Sequence, residues 1–224
     1  MGTRTGETLR KFFDAMHKRL GPQHWWPGET PTEVVIGAIL TQNTSWKNVE
    51  RAIANLRRAG CLDWAKLRDI ASADLAELIR PAGYFNVKTK RLKAFVAWLW
   101  ERYGGDLDRM FATRTETLRE ELLSVSGVGR ETADSILLYA GNKPTFVVDA
   151  YTYRILRRHR LIDDDADYEQ IKELFESNLP ADTKLYNEYH ALLVAVGKDH
   201  CRPKARCAGC PLEKFEHEVE PQDD

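Results

Sequence analysis

Apolar positions recur along this chain with a helical period. Leu9, Phe12, Phe13, Met16 and Leu20 form an i, i+3, i+4, i+7, i+11 stripe, and Ile171, Leu174 and Phe175 repeat it inside YEQIKELFESNL. This is the pattern of helices that bury one face. In TPTEVVIGAIL, Thr30 stands where an N-cap belongs, Pro31 at the first helical position and Glu33 three residues after the cap. A buried helix is therefore predicted to begin near Pro31 with a capping box. Similar patterns predict helices over about 47–58, 73–79, 88–103, 115–123, 131–139, 150–158 and 184–196. Strand-like alternation with hairpin signals is lacking, so the expectation is an all-α protein with short loops and no internal repeat.

Composition narrows this without redirecting it. With 224 residues, 43% of them apolar, the chain can bury a sizeable core as one domain or two small lobes. No apolar run is long enough to span a bilayer, and the first twenty residues lack a signal-peptide apolar block. A soluble, cytoplasmic protein is the expectation. The net charge of -1 does not mark a nucleic-acid binder, but it conceals basic runs at 88–93, 154–160 and 198–206 beside acidic runs at 163–167 and in the C-terminal tail. Each run taken singly reads as a solvated face. Three of the four cysteines, Cys201, Cys207 and Cys210, fall within ten residues, a spacing that suits metal ligation better than a disulfide framework. Cys61 stands alone and is expected to be buried.

The stretch LLSVSGVGRETADSILLYAG (122–141) joins two helices through SVSGVGR. A connection this tight calls for left-handed or otherwise restricted backbone, which Gly127 and Gly129 can adopt. Their missing side chains also let backbone amides approach an anion at the positive N-terminus of the next helix. An ordinary helix C-cap and turn uses the same residues.

The hairpin GVGRETAD, followed by VVDAY, resembles the helix-hairpin-helix, Gly/Pro-rich loop and aspartate signature of the endonuclease III superfamily of DNA glycosylases. Three more motifs extend the resemblance over nearly the whole chain: GAILTQNTSWKNVERAI (37–53), RPAGYFNVKTKRL (80–92) and HALLVAVGKDHCRPKARCAGCPL (190–212). It implies two helical lobes, one over 32–143 carrying the hairpin and one combining 1–31 with 144–224, including a Cys loop at 201–217. The flipped base would lie in a cleft between them.

The family hairpin (Gly127, Val128, Gly129, Arg130, Thr132) grips the DNA backbone, with a monovalent cation shared between its carbonyls and a phosphate when DNA is bound. Lys88 is a further DNA contact. Asp149 takes the catalytic place and is also an N-cap for the helix at Ala150; helix amides would keep its carboxylate ionised. Gln42 would fill the gap left by the extruded nucleotide, with Asn43, Tyr84 and Phe85 near the pocket.

Bifunctional members carry a lysine where this chain has Glu131. That lysine attacks the sugar to form a Schiff base, which a carboxylate cannot do. The resemblance therefore implies a monofunctional glycosylase that leaves an abasic site for a downstream AP endonuclease. Trp25 and Trp26, ahead of the helix at Pro31, make the chain similar to the endonuclease III-type 3-methyladenine glycosylases. In these, indole faces stack on a cationic alkylated purine. Packing between the lobes is the plainer role of either indole. Lys198 matches a lysine near the pocket and equally suits a phosphate contact.

The Cys loop is one residue short in its first spacer and lacks the family's fourth cysteine, with Glu216 and His217 in its place. A 4Fe-4S cluster using His217 or Glu216, a Cys3His zinc site and a loop without metal all remain open. So do two other functions: a mismatch or damaged-pyrimidine glycosylase of the same fold, and a catalytically silent DNA-binding module. The expected partner is double-stranded DNA with a damaged base, bound by a monomer.

Overall fold

A computed structural model describes residues 3–25 and 28–218. All regular structure among them is helical: α1 (Arg4–Leu20), α2 (Pro31–Leu40), α3 (Trp46–Arg58), α4 (Trp64–Asp69), α5 (Ser72–Ile79), a 3-10 turn (Arg80–Ala82), α6 (Phe85–Tyr103), α7 (Leu107–Phe111), α8 (Thr115–Ser124), α9 (Arg130–Ser135) running into a π turn (Ile136–Ala140), α10 (Ala150–Arg158), α11 (Tyr168–Glu176) and α12 (Thr183–Asp199). No helix among the described residues is long and apolar enough to cross a membrane.

The chain divides into two compact units, Trp26–Lys143 and Met1–Trp25 with Pro144–Asp224. The first is built around α2, which is apolar on all sides, with Ile36, Ile39 and Leu40 fully buried among Leu56, Phe95, Leu122 and Ile136. Thr30 caps α2 by accepting the Glu33 N–H at 3.3 Å. The other half of the expected capping box differs. The buried Glu33 carboxylate accepts the N–H of Glu29, one residue before the cap, at 2.8 Å and is paired with Arg57 Nη2 at 2.6 Å. A carboxylate that close to a guanidinium gains more from the ion pair than from returning to the cap amide.

Two short helices escape the periodicity reading. Five or six residues are too few to show a stripe, and both depend on polar capping. Asp63 accepts the Lys66 N–H at the start of α4, while Lys93 Nζ donates to the carbonyls of Leu67, Arg68 and Ile70 at its end. Asp106 caps α7. Helix α6 begins at Phe85, three residues before the predicted Lys88, because Tyr84 turns the chain in the left-handed region (φ 45°).

In the second unit α1 presents Leu9, Phe12 and Met16 to the interior. Phe146 and Phe175 stack at 3.7 Å with Tyr186 and Tyr189 edge-on to the pair. Helices α10 and α12 approach closely: a methyl group at Gly197 would stand 2.5 Å from Tyr151 Cβ. That approach sets the start of α10, and with it Asp149, against α12.

Candidate DNA-binding and base-excision site

The hairpin between α8 and α9 turns on Gly127, whose φ of +88° is the left-handed conformation expected there. Gly129 is different, with an extended backbone (φ -92°, ψ 179°) that any residue adopts, and a methyl there would meet nothing of the protein within 4 Å. Gly129 and Arg130 are both exposed. The hairpin is fixed from behind by a buried two-pronged ion pair, Arg119 Nε to Asp134 Oδ1 at 2.7 Å and Nη2 to Oδ2 at 3.0 Å.

Other expected contacts in this unit are already committed within the protein. Val128 is 6% exposed and its N–H donates to the Val125 carbonyl at 3.0 Å, so neither side chain nor amide is offered to DNA. Thr132 is buried and its hydroxyl accepts from Gln42 Nε2 at 3.0 Å. Lys88 is 1% exposed, with Nζ donating to the Ala82 carbonyl at 2.7 Å. Burial, aided by nearby Arg91, pulls its pKa down to about 8. It ties the 3-10 turn to α6 and does not reach out to a phosphate.

Gln42 donates to the Gly127 carbonyl at 3.1 Å as well as to Thr132, and its Oε1 accepts from Arg91 Nη1. The α2–α3 turn is thereby tied to the hairpin. Asn43 (φ 53°) and Tyr84, 73% exposed, project from the turns that carry them. Phe85 instead packs against the core beneath Arg80, whose guanidinium lies 5.0 Å from the ring centre.

In the other unit Asp149 caps α10. Its Oδ1 accepts the Thr152 N–H at 2.7 Å and the Thr152 hydroxyl at 2.9 Å, and its Oδ2 lies 3.7 Å from His190 Nε2. Burial pushes this carboxyl up, but His190 and the two Thr152 donors together outweigh it and hold it below the ordinary aspartate value. The carboxylate is thus held ionised while only 13% exposed. Trp25 meets the His190 ring edge-on at 6.4 Å, and Lys198 Nζ stands 5.4 Å from the Trp25 ring centre. His190 thus links Asp149 to Trp25, and Trp25 in turn meets Lys198; the sequence motifs do not single His190 out. Its only signal is an imidazole within the apolar run of α12. Trp26 lies outside the described residues.

Cys201, Cys207 and Cys210 line one cavity together with His217, Glu213 and Arg158. His217 directs Nδ1 to the Phe215 carbonyl at 2.7 Å. Glu216 is unsuited as a ligand: its side chain is 84% exposed beside Arg160, 3.6 Å away. Burial, followed by the Cys201 thiol and Glu213, pushes the Cys207 thiol up against the pull of Arg158, and Arg158 Nη1 donates to Cys201 Sγ at 3.3 Å. No group of three or more His, Cys, Asp or Glu side chains among the described residues is arranged to hold a metal ion. A four-iron four-sulfur cluster draws on four cysteine thiolates, and this loop supplies three. The loop is held by Arg158, 6% exposed, which also donates to the Arg202 and Pro203 carbonyls at 2.7 and 2.9 Å.

Residues 36–181 match the HhH-GPD superfamily of base excision DNA repair proteins. A Methanocaldococcus jannaschii protein provisionally named a DNA repair glycosylase is 52% identical over 211 residues, 93% of this chain and 96% of its own length. Endonuclease III of Thermotoga maritima is 30% identical over 187 residues, 82% of this chain and 81% of that one. Among solved structures, the H. pylori 3-methyladenine DNA glycosylase bound to 1,N6-ethenoadenine superposes with a TM-score of 0.73 at 29% identity, covering 88% of this chain and 98% of the other.

Proposed function

Because the chain belongs to the HhH-GPD superfamily of base excision DNA repair glycosylases, we propose that it is a monofunctional member that hydrolyses the N-glycosidic bond of an alkylated purine such as 3-methyladenine. The observation that carries the proposal is that the chain offers an ionised Asp149 as its acidic group while an acid, Glu131, occupies the first turn of α9. Asp149 supplies a fixed negative charge beside a sugar that becomes oxocarbenium-like as the bond breaks, or takes the proton of the attacking water. Glu131 has no amine to form an imine, so the reaction ends at an abasic site that an AP endonuclease must process.

The substrate class is supported by Trp25. An N-alkylated purine cation is already a good leaving group and needs a stacking surface more than a proton donor. An indole face attracts a cation by about 0.5 to 2 kcal/mol, and Trp25 already stands against the Lys198 ammonium. The H. pylori neighbour, a 3-methyladenine DNA glycosylase holding 1,N6-ethenoadenine, supports the same class.

Duplexes that each carry one defined lesion test the proposal. The expected result is release of 3-methyladenine, with strand breaks only after hot alkali. Strand cleavage without alkali, or a borohydride-trapped adduct, would overturn the monofunctional assignment. Preferential release of a damaged or mismatched pyrimidine would overturn the substrate class, and no release from any lesion would leave a binding module.

A further inference from the structure

Both Nε2 donors of Gln42 and one lone pair of its Oε1 are engaged within this unit. Nε2 donates to the Gly127 carbonyl at 3.1 Å and the Thr132 hydroxyl at 3.0 Å, and Oε1 accepts from Arg91 Nη1. Arg91 decides this orientation. With the amide reversed, an oxygen would face the Gly127 carbonyl oxygen and an NH2 would face a guanidinium, and both contacts would be repulsive. Arg91 also touches the hairpin directly. A methyl group at Gly127 would lie 2.8 Å from Arg91 Cδ, so the arginine stem occupies the space that the glycine leaves. One half-buried side chain from α6 therefore holds both the α2–α3 turn and the hairpin.

We propose that Arg91 is a positioning residue that locks the α2–α3 turn to the helix-hairpin-helix, making the turn's exposed tip and the hairpin one rigid DNA-reading element. The proposal rests on the reading of this unit as a DNA-binding surface. Its consequence is a division of labour. Hairpin affinity for the duplex backbone does not depend on the lock, whereas distortion of the helix by the turn does, because a loose turn spends binding energy on its own ordering.

The test is a double-mutant cycle with Arg91→Met and Gln42→Ala on a duplex carrying a tetrahydrofuran abasic analogue beside a 2-aminopurine. This ligand reports unstacking through its emission and needs no bond cleavage. Each single variant is expected to lower the rate constant of the emission change about tenfold, the effect of losing one charged hydrogen bond. The double variant should also lose about tenfold, because partners in one interaction are not additive. Duplex Kd should move less than about threefold. Thr132→Val, which keeps the side-chain shape, is the further check should Arg91→Met fold poorly, and it should show the same slow emission change.

A double variant near hundredfold would overturn the lock. So would normal emission kinetics in Arg91→Met or, if that variant does not fold, in Thr132→Val; a weaker Kd with the salt slope reduced by about one would mark Arg91 as a plain phosphate contact. A wild-type protein that unstacks this duplex yet excises no lesion would sink the glycosylase reading and leave the lock standing. One that binds no duplex would sink both.

Discussion

At the scale of single residues, burial separates groups with similar chemistry. The partly buried Asp149 and the fully buried Lys88 are both ionisable, but their surroundings act oppositely on their charged forms. Asp149 has two donors from Thr152 and an imidazole beside it and stays charged; Lys88 has one carbonyl and a neighbouring cation and gives up its proton easily. Asp149→Asn keeps the shape and removes the charge, and is expected to slow base excision by about 10² to 10⁴ in single-turnover assays. An unchanged rate would remove Asp149 from the mechanism.

Its depressed pKa also fixes a sign. The folded value lies below the unfolded value of about 3.9, so the carboxylate's contribution to stability is complete above that value. It is lost as pH falls through the folded one. Excision should therefore show no acid limb from Asp149 above about pH 4. Lys88 runs the other way. Its folded pKa of about 8 lies below the unfolded 10.5, so the unfolded chain binds more protons between them and stability rises with pH across that window. Denaturant titrations at pH 7.5 and 9.5 should give a steeper rise for wild type than for Lys88→Met. Equal slopes would place the titration elsewhere.

At the scale of elements, two contacts position the candidate site. The Arg119–Asp134 pair braces α8 against α9 with Asp134 fully buried. Asp134→Asn removes the buried charge that Arg119 pairs with through two hydrogen bonds, a loss of about 3 to 5 kcal/mol in urea unfolding. The second contact is the approach of α10 to α12. Gly197→Ala forces a methyl into Tyr151, and overpacking of this kind costs about 1 to 3 kcal/mol. Because Asp149 begins α10, the same substitution should lower excision more than it lowers duplex binding. The helices themselves were largely legible in the sequence, since period and caps are local: Thr30, Pro31, Asp149 and the stripe of α1 mark their elements without outside help. The five- and six-residue α7 and α4 were not, since their caps act on segments too short to display a period.

For the whole molecule, a net charge of -1 means that attraction to DNA must come from local patches and be confined by screening. Arg130 and the Cys-loop cations Arg202, Lys204 and Arg206 are among the exposed charges that can supply it. Log affinity for undamaged duplex should fall linearly with log salt, with a slope of about -0.9 per phosphate engaged; a flat dependence would rule out backbone binding. The sequence by itself determined the helical class, the tight glycine hairpin, the capped Asp149 and the acid at 131, because each is written in residues a few positions apart. Tertiary structure decided which polar groups are free to act. It placed Gln42 against partners 85 and 90 residues away, buried Lys88 and Thr132, turned Glu216 outward and set His190 beside Asp149. The physical reason is that a side chain's availability depends on the desolvation and hydrogen bonds it meets after distant segments pack, and local periodicity carries no record of either.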